Sequence, residues 1–295
     1  MKILNYGSLN IDETYAVPHF VQAGETLGPT AFTRNTGGKG LNQSVSLSRA
    51  GAEVYHAGSI GEDGRFLTDF LTMAGVDCRF VHLTQTATGR AIIQVVPAGQ
   101  NCILLYGGAN QAQREEDMKE TLSHFSAGDI LLLQNEINGI DLLVREAHAR
   151  GMRVVLNPSP FDESLLALPC EAIDLLILNE VEAAAMSGEA EPQAALHALR
   201  AHYPQADVLL TLGSQGSLYS GKEGDFVQSA YRVRAVDTTG AGDTFTGYFL
   251  ASVSAGMPVP QAMDLSARAA AVAVTKHGAA AAVPTPAEIS SFDFS

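Results

Sequence analysis

The sequence predicts an α/β fold: a mainly parallel β-sheet covered by helices on both faces, with a small β-sheet outside it as a lid. Three observations predict it. Short apolar runs alternate with stretches of helical spacing along most of the chain. The runs are mainly apolar, as strands buried on both faces require. Two stretches, Ile11–Asn35 and Gly89–Gly107, break that rhythm and are not helical.

In chain order, Lys2–Tyr6, Glu53–Ala57, Ile130–Gln134, Arg153–Leu156, Leu175–Leu178 and Val208–Leu212 read as buried strands. Between them, Leu41–Ala50, Phe66–Ala74, Glu115–His124, Ile140–Arg150 and Gln193–Tyr203 carry helical spacing. Strand–helix alternation of this kind builds parallel sheets. Two later helices are expected at Thr244–Ala255 and Gln261–Lys276; the second is alanine-rich and should pack closely in the interior. Within Gly89–Gly107, residues 92–96 and 102–106 flank a Pro97–Asn101 turn and read as a hairpin. No repeat, low-complexity tract or linker marks a second domain. Residues 1–295 therefore read as one domain, with lid segments 11–35 and 89–107.

Composition narrows the function classes. Hydrophobic residues make up 46% of the 295, enough for a sizeable core. The formal net charge is −14, from 32 acidic and 18 basic residues, which argues against nucleic-acid and anionic membrane partners. A polyanionic ligand would need local devices: metal ions, helix N-termini and a few cations. The three cysteines, Cys78, Cys102 and Cys170, make no disulfide framework and suit a reducing compartment. The N-terminal apolar run is too short and polar for a signal peptide. No segment reaches the roughly 18 apolar residues needed to cross a bilayer. The expected setting is cytoplasm. The eight histidines show no i, i+4 pair, so a zinc site is not expected.

The most informative segment is Asp237-Thr238-Thr239-Gly240-Ala241-Gly242-Asp243-Thr244-Phe245. Its glycines directly precede a helix-patterned run, leaving unpaired backbone N–H groups at a helix N-terminus. Consecutive amides there form a nest for an anion. Asp243 sits inside that nest, where a carboxylate would repel a phosphate. The placement makes sense if the carboxylate takes a proton from a hydroxyl attacking phosphorus while the amides stabilise the transferred charge. The residues alone leave a plain helix cap equally open.

A second glycine turn, Gly37-Gly38-Lys39-Gly40-Leu41-Asn42-Gln43, also feeds a helix. It is not a P-loop, because Gly40 rather than Ser or Thr follows Lys39. Gly38 would let a ligand approach the backbone, and Asn42 offers both a donor and an acceptor to hydroxyls. Asn10-Ile11-Asp12 follows the first strand, at the sheet end where α/β folds bind ligands.

Together these segments resemble the ribokinase / phosphofructokinase-B family of carbohydrate kinases. The resemblance runs from Tyr6-Gly7-Ser8-Leu9-Asn10 to Gly278–Pro284, with the motifs in the family's order. It implies a three-layer α/β/α sandwich with a small β-sheet lid, and transfer of the γ-phosphoryl of ATP to a primary sugar hydroxyl. Asp243 would be the base, and Gly240, Ala241 and Gly242 the anion hole. Asn10, Asp12, Gly38, Lys39 and Asn42 would hold the sugar, with Glu136 as a further contact. Lys39 does not separate sugar from sugar-phosphate substrates.

Asn179-Glu180-Val181-Glu182 matches the family's Asn-X-X-Glu motif, so Asn179 and Glu182 would meet Mg²⁺ through water. Thr211, Gly213, Ser214 and Gly216 match its nucleotide-binding turn. Asp237, Thr239, Ala273, Lys276, Gly278 and Ala282 match the positions that hold K⁺, mostly by carbonyls. Ala282 departs from the Ser common there, which puts K⁺ dependence in question. Homodimers that pair through the lid are expected from the same resemblance. Ribose is the expected substrate, with deoxyribose, a ketohexose, a keto-deoxy sugar acid or a nucleoside as alternatives.

Two other classes were weighed. A dinucleotide-binding oxidoreductase would need Gly-X-Gly-X-X-Gly after an early strand, and the first strand leads instead to Gly7-Ser8-Leu9-Asn10. A non-catalytic sugar- or nucleotide-binding sensor could dispense with the base, and Asp243 and its turn are intact.

Overall fold

A computed structural model describes residues 1–294. The chain opens with β1 (Ile3–Tyr6), β2 (Asn10–Ala16) and β3 (Ala31–Gly37), then α1 (Lys39–Arg49), β4 (Val54–Ile60), α2 (Arg65–Met73) and β5 (Asp77–Leu83). There follow β6 (Gly89–Val95), β7 (Asn101–Tyr106), α3 (Glu115–Ser123), β8 (Ile130–Gln134), α4 (Ile140–Ala149), β9 (Arg153–Asn157) and β10 (Leu175–Asn179). The last part holds α5 (Glu180–Ser187), α6 (Pro192–His202), β11 (Asp207–Thr211), β12 (Ser217–Gly221), β13 (Gly224–Gln228), α7 (Ala241–Ser254), α8 (Val259–Ala273) and α9 (Pro286–Ser291).

The large sheet has nine strands in the order β13-β12-β11-β10-β9-β8-β1-β4-β5. From β11 to β5 all neighbours are parallel; β12 and β13 add an antiparallel hairpin at one edge. Side-chain alternation divides each strand between two cores. Leu4, Leu131, Leu133, Val154, Leu176 and Leu178 face α3–α6. Ile3, Ile130, Leu132, Val155, Leu175 and Ile177 face α1, α2, α7, α8 and α9. The result is the expected three-layer α/β/α sandwich.

The six predicted strands and seven predicted helices are all present, with no end moved by more than three residues. Two features escaped the apolar-run criterion. Strands β5 and β13 lie at the two edges and are only partly buried, while β12, buried between β11 and β13, is a short strand of mixed sequence. Edge strands face one neighbour and some water, so they need no continuous apolar run.

The two arrhythmic segments form a separate four-stranded sheet in the order β3-β2-β6-β7. Its first strand, β2, starts only four residues after β1 ends, so the small sheet is anchored to the centre of the large one. Asn10 Oδ1 accepts from Asn110 Nδ2 at 2.7 Å, and the Asp63 carboxylate accepts from Thr88 N and Arg90 at the base of β6. On β7, Ile103, Leu104, Leu105 and Tyr106 are each more than half exposed.

Helix α1 sits unusually close to the chain leaving β1. A Cβ at Gly40 would lie 2.4 Å from Ser8 N and 2.5 Å from the Gly7 carbonyl carbon. Both neighbours are backbone, so the helix itself would have to move. Gly40→Ala should therefore destabilise the fold by about 1–3 kcal/mol, read as a lowered urea midpoint. It should also depress turnover in the folded fraction, because α1 carries Asn42 and Gln43.

Candidate active site

Two adjoining cavities open along the carboxyl ends of the parallel strands, the usual ligand crevice of such sheets. The larger, about 390 Å³, is lined by Thr211, Gly213, Ser214 and Gly216 from the β11–β12 turn and by apolar residues of α7 and α8. The smaller, about 200 Å³, is lined by Lys39, Asn157, Asn179, Glu182, Gly240, Gly242 and Asp243 among others. Thr211, Thr238, Ala241 and Gly242 line both, so the two form one cleft.

Asp243 lies in the first turn of α7 and is buried at 7% exposure. Its carboxylate accepts from both consecutive amides of α1: Asn42 Nδ2 at 2.9 Å on Oδ2 and Gln43 Nε2 at 2.8 Å on Oδ1. Helix α7 can approach α1 this closely because Gly247 leaves room for Ser46, whose hydroxyl donates to Thr244 O. The turn before α7 is pinned by Gly240, in the left-handed region at φ 73° and packed on Ala279. Its amides are not equivalent. Ala241 N–H turns back to Thr238 O at 3.2 Å, while those of Gly242 and Asp243 have no backbone partner among the described residues. Of the expected Gly240–Gly242 set, the N–H groups of Gly240 and Gly242 are without a backbone partner among the described residues, and that of Asp243 joins them.

Lys39 points into the smaller cavity. Burial alone would lower its pKa, but the carboxylates of Asp243, Glu136 and Glu182 outweigh that and hold it raised. Expected with the sugar-binding set, it shares this cavity with Asn179, Glu182 and Asp243. Asn42 is likewise committed through its amide nitrogen to Asp243, leaving Oδ1 buried and without a partner.

Gly38 is required by the chain itself: at φ 96°, a Cβ there would lie 2.9 Å from Ser8 O and 3.0 Å from Asn10 N. Asn10 is spent on Asn110 through its oxygen. Glu136 Oε2 accepts from Lys39 N at 3.0 Å and from the Ser8 hydroxyl, which brings the ends of β1 and β8 and the start of α1 together. Asp12 has no hydrogen-bond partner among the described residues. Burial first, and repulsion from Glu136 second, push its pKa up to about 7.

Asn179 and Glu182 form a capping box on α5: Asn179 Oδ1 accepts from Glu182 N at 2.9 Å and Glu182 Oε2 from Asn179 N at 3.0 Å. One oxygen of Glu182 remains for the cavity, which fits contact with Mg²⁺ through water better than direct ligation. Asp237 accepts from Thr239 N and Oγ1 on Oδ1 and from Gly278 N on Oδ2, tying the turn before α7 to the 276–282 loop. The carbonyls of Thr239, Lys276 and Gly278 accept no backbone bond among the described residues, as a cation site of carbonyls needs; Ala273 O is taken by Lys276 N. Ala282 is buried and brings no side-chain oxygen.

The chain matches the pfkB family of carbohydrate kinases over residues 1–286. It belongs to that family. It is 35% identical to the ribokinase of Haemophilus influenzae, over 97% of this chain and 96% of the relative. Among solved structures it resembles ribokinase from Cryptococcus neoformans var. grubii in complex with ADP, with a TM-score of 0.85, 31% identity and 98% of each chain covered. It also resembles Arabidopsis thaliana ribokinase complexed with ribose and ATP, with a TM-score of 0.87, 28% identity and 99% of each chain covered. The pfkB family's activity, ATP-dependent phosphoryl transfer to a sugar hydroxyl, is therefore this chain's activity.

Sequence reading missed the apolar wall of the larger cavity: Tyr231, Val233, Phe245, Ala267, Ala271 and Val274. The alanine run of α8 was the available signal. It was expected to mean close interior packing, and part of it instead leaves space open. Gln43 was also missed as a partner of Asp243, although it lies within the quoted glycine motif.

A carboxyl whose pKa is raised on folding favours the protonated native state. Below about pH 4 both states of Asp12 are protonated and it costs nothing; the penalty grows as pH rises toward about 7. Asp12→Asn should therefore raise thermal stability at pH 8 by about 1–3 kcal/mol and leave it unchanged near pH 4. Calorimetric melts at both pH values check this.

Proposed function

We propose that this chain phosphorylates the primary hydroxyl of D-ribose, with Asp243 as the general base. The observation that carries the proposal is Asp243 itself: a buried carboxylate, fixed on both oxygens by Asn42 and Gln43, beside the free amides of Gly242 and Asp243. A base and an electrophile for the same reacting group thus stand within one turn of helix.

The nucleotide lies along the larger cavity, with its base against the apolar wall and its phosphates beside Gly213, Ser214 and Gly216. Its γ-phosphate reaches the smaller cavity. There Lys39 and the α7 amides receive the charge, and Asp243 accepts the hydroxyl proton as the oxygen attacks phosphorus in line. Mg²⁺, met through water by Asn179 and Glu182, would neutralise the phosphates. K⁺, held by Asp237 and the carbonyls of Thr239, Lys276 and Gly278, would steady the turn before α7. The sugar sits under the small sheet, where Asp12 can accept from two vicinal hydroxyls. Closure of that sheet as a lid excludes water that would otherwise hydrolyse ATP.

The exposed apolar strand β7 is an edge suited to pairing with a second copy, which supports a homodimer formed through the lids. Leu104→Asp should shift the protein to monomer in sedimentation equilibrium if that pairing forms.

The decisive assay couples ADP release to a panel of pentoses, ketohexoses, sugar acids and nucleosides, with and without K⁺. Ribose should exceed deoxyribose and the others in kcat/KM; a different preferred sugar would move the substrate and keep the mechanism. Asp243→Asn should lower kcat at least about a hundredfold with ATP binding retained. Near-normal turnover in that variant would remove Asp243 from the role of base.

A further inference from the structure

Five polar side chains are fully buried in the layer between the large sheet and α1: Asn5 of β1, Gln43 and Ser44 of α1, His56 of β4 and Gln134 of β8, each at 0% exposure. They come from four elements otherwise packed with apolar residues. Such groups cost free energy in an interior unless each finds its partner. Here they bond to one another, with Gln134 Oε1 left without a partner. Gln134 Nε2 donates to Gln43 Oε1 at 2.7 Å and to Asn5 Oδ1 at 2.9 Å. Asn5 Nδ2 donates to Ser44 Oγ at 2.8 Å and to Gly40 O at 2.7 Å. Ser44 Oγ lies 2.8 Å from His56 Nδ1. At the other end, Gln43 Nε2 donates to Asp243 Oδ1 and to Asn157 Oδ1.

We propose that this chain, His56–Ser44–Asn5–Gln134–Gln43, is a positioning device for Asp243, and that Gln43 and Gln134 are positioning residues for the phosphoryl-transfer step. The inference rests on the reading of Asp243 as the base.

The argument is one of direction. A carboxylate accepts and does not donate, so Gln43 must turn its NH₂ toward Asp243. Its oxygen then faces inward and needs a donor, which is Gln134 Nε2. The same nitrogen fills Asn5 Oδ1, so Asn5 must in turn donate, and it does so to Ser44. A serine oxygen that receives that bond has its own hydrogen free for His56 Nδ1. Burial drives the His56 pKa down to about 3 against an opposing bond to the Gly7 backbone, so the ring is neutral and Nδ1 can accept. Reversing Gln43, Gln134 or Asn5 would set a buried donor against a donor or an acceptor against an acceptor; the sense of the Ser44–His56 link follows the tautomer of the ring. The sense of the Gln43 amide is therefore fixed by groups that do not touch Asp243, and so is the plane of the carboxylate.

Gln134→Met keeps the volume and removes both donors. It should lower kcat about tenfold, the effect of releasing one buried hydrogen bond at a reacting group, with KM for Mg-ATP and for the sugar within about twofold of wild type. The discriminating measurement adds the same change to Asp243→Asn. If Gln134 acts through the base, residual turnover of Asp243→Asn is unaffected by Gln134→Met. If Gln134 merely holds the fold, the two losses multiply. Ser44→Ala, one link further out, should show the same pattern with a smaller loss and decides the matter if Gln134→Met does not fold. Unchanged kcat in the folded variants, or multiplying losses, overturns the proposal. Near-normal turnover in Asp243→Asn alone overturns the reading of the base, and this proposal with it, and is distinguishable because it needs no change at Gln134.

Discussion

The contact on which the site depends is the one between the first turns of α1 and α7, where two amides of one helix hold the carboxylate of the other. It is a demanding contact. Both helices start at glycine turns, one of them at positive φ directly before Lys39 and the other at Gly240. Both must enter the same crevice, and the helices must lie close enough for Asn42 and Gln43 to reach Asp243. Small residues make that possible: Gly40 against the β1 turn, and Gly247 against Ser46. Without this approach Asp243 would be an unpaired buried carboxylate at the mouth of an anion nest. With it, the carboxylate is oriented before any substrate arrives, as the role of base proposed for Asp243 requires.

The acidic composition looks at odds with a site for a polyanion, and the structure resolves the tension locally. Lys39 stands among Asp243, Glu136 and Glu182, which hold its charge despite burial. The amides of α7 add partial positive charge without adding a side chain. Two acidic residues at the cleft also hold the framework, Glu182 in the α5 capping box and Asp237 in tying two loops together. The net charge of −14 therefore says little about the field inside the cleft.

Much of this was legible in the sequence, and the parts that were not share a cause. Buried parallel strands announce themselves as apolar runs, so the body of the sheet was readable; β5 and β12–β13 lie at edges and carry mixed sequences. The glycine turns located both ends of the site. What sequence could not supply was which atom faces which. Gly38, read as room for a ligand, also leaves room for Ser8 and Asn10. Asn10, read as a ligand contact, also accepts from Asn110 through its oxygen. Lys39 and Asn42, read with the sugar, line the cavity of Asp243 and donate to it respectively. These contacts depend on neighbours up to 201 positions away or on backbone geometry that residue type does not encode. The apolar wall of the larger cavity has no motif at all, because small and aliphatic residues look the same whether they fill space or border it.

Asp12 stands apart from this tightly bonded framework. It is a carboxyl with no partner and with a pKa near 7. A ligand that donates hydroxyl hydrogens to it favours its ionised form. If Asp12 holds the sugar as proposed, occupation of the site at neutral pH would then expel a fraction of a proton into the medium. The heat measured on binding would include the protonation of the buffer, and titrations in buffers of different ionisation enthalpy would diverge by that fraction. The acceptor site would thus report its own filling through an exchange of protons with solvent, separate from the proton passed during catalysis.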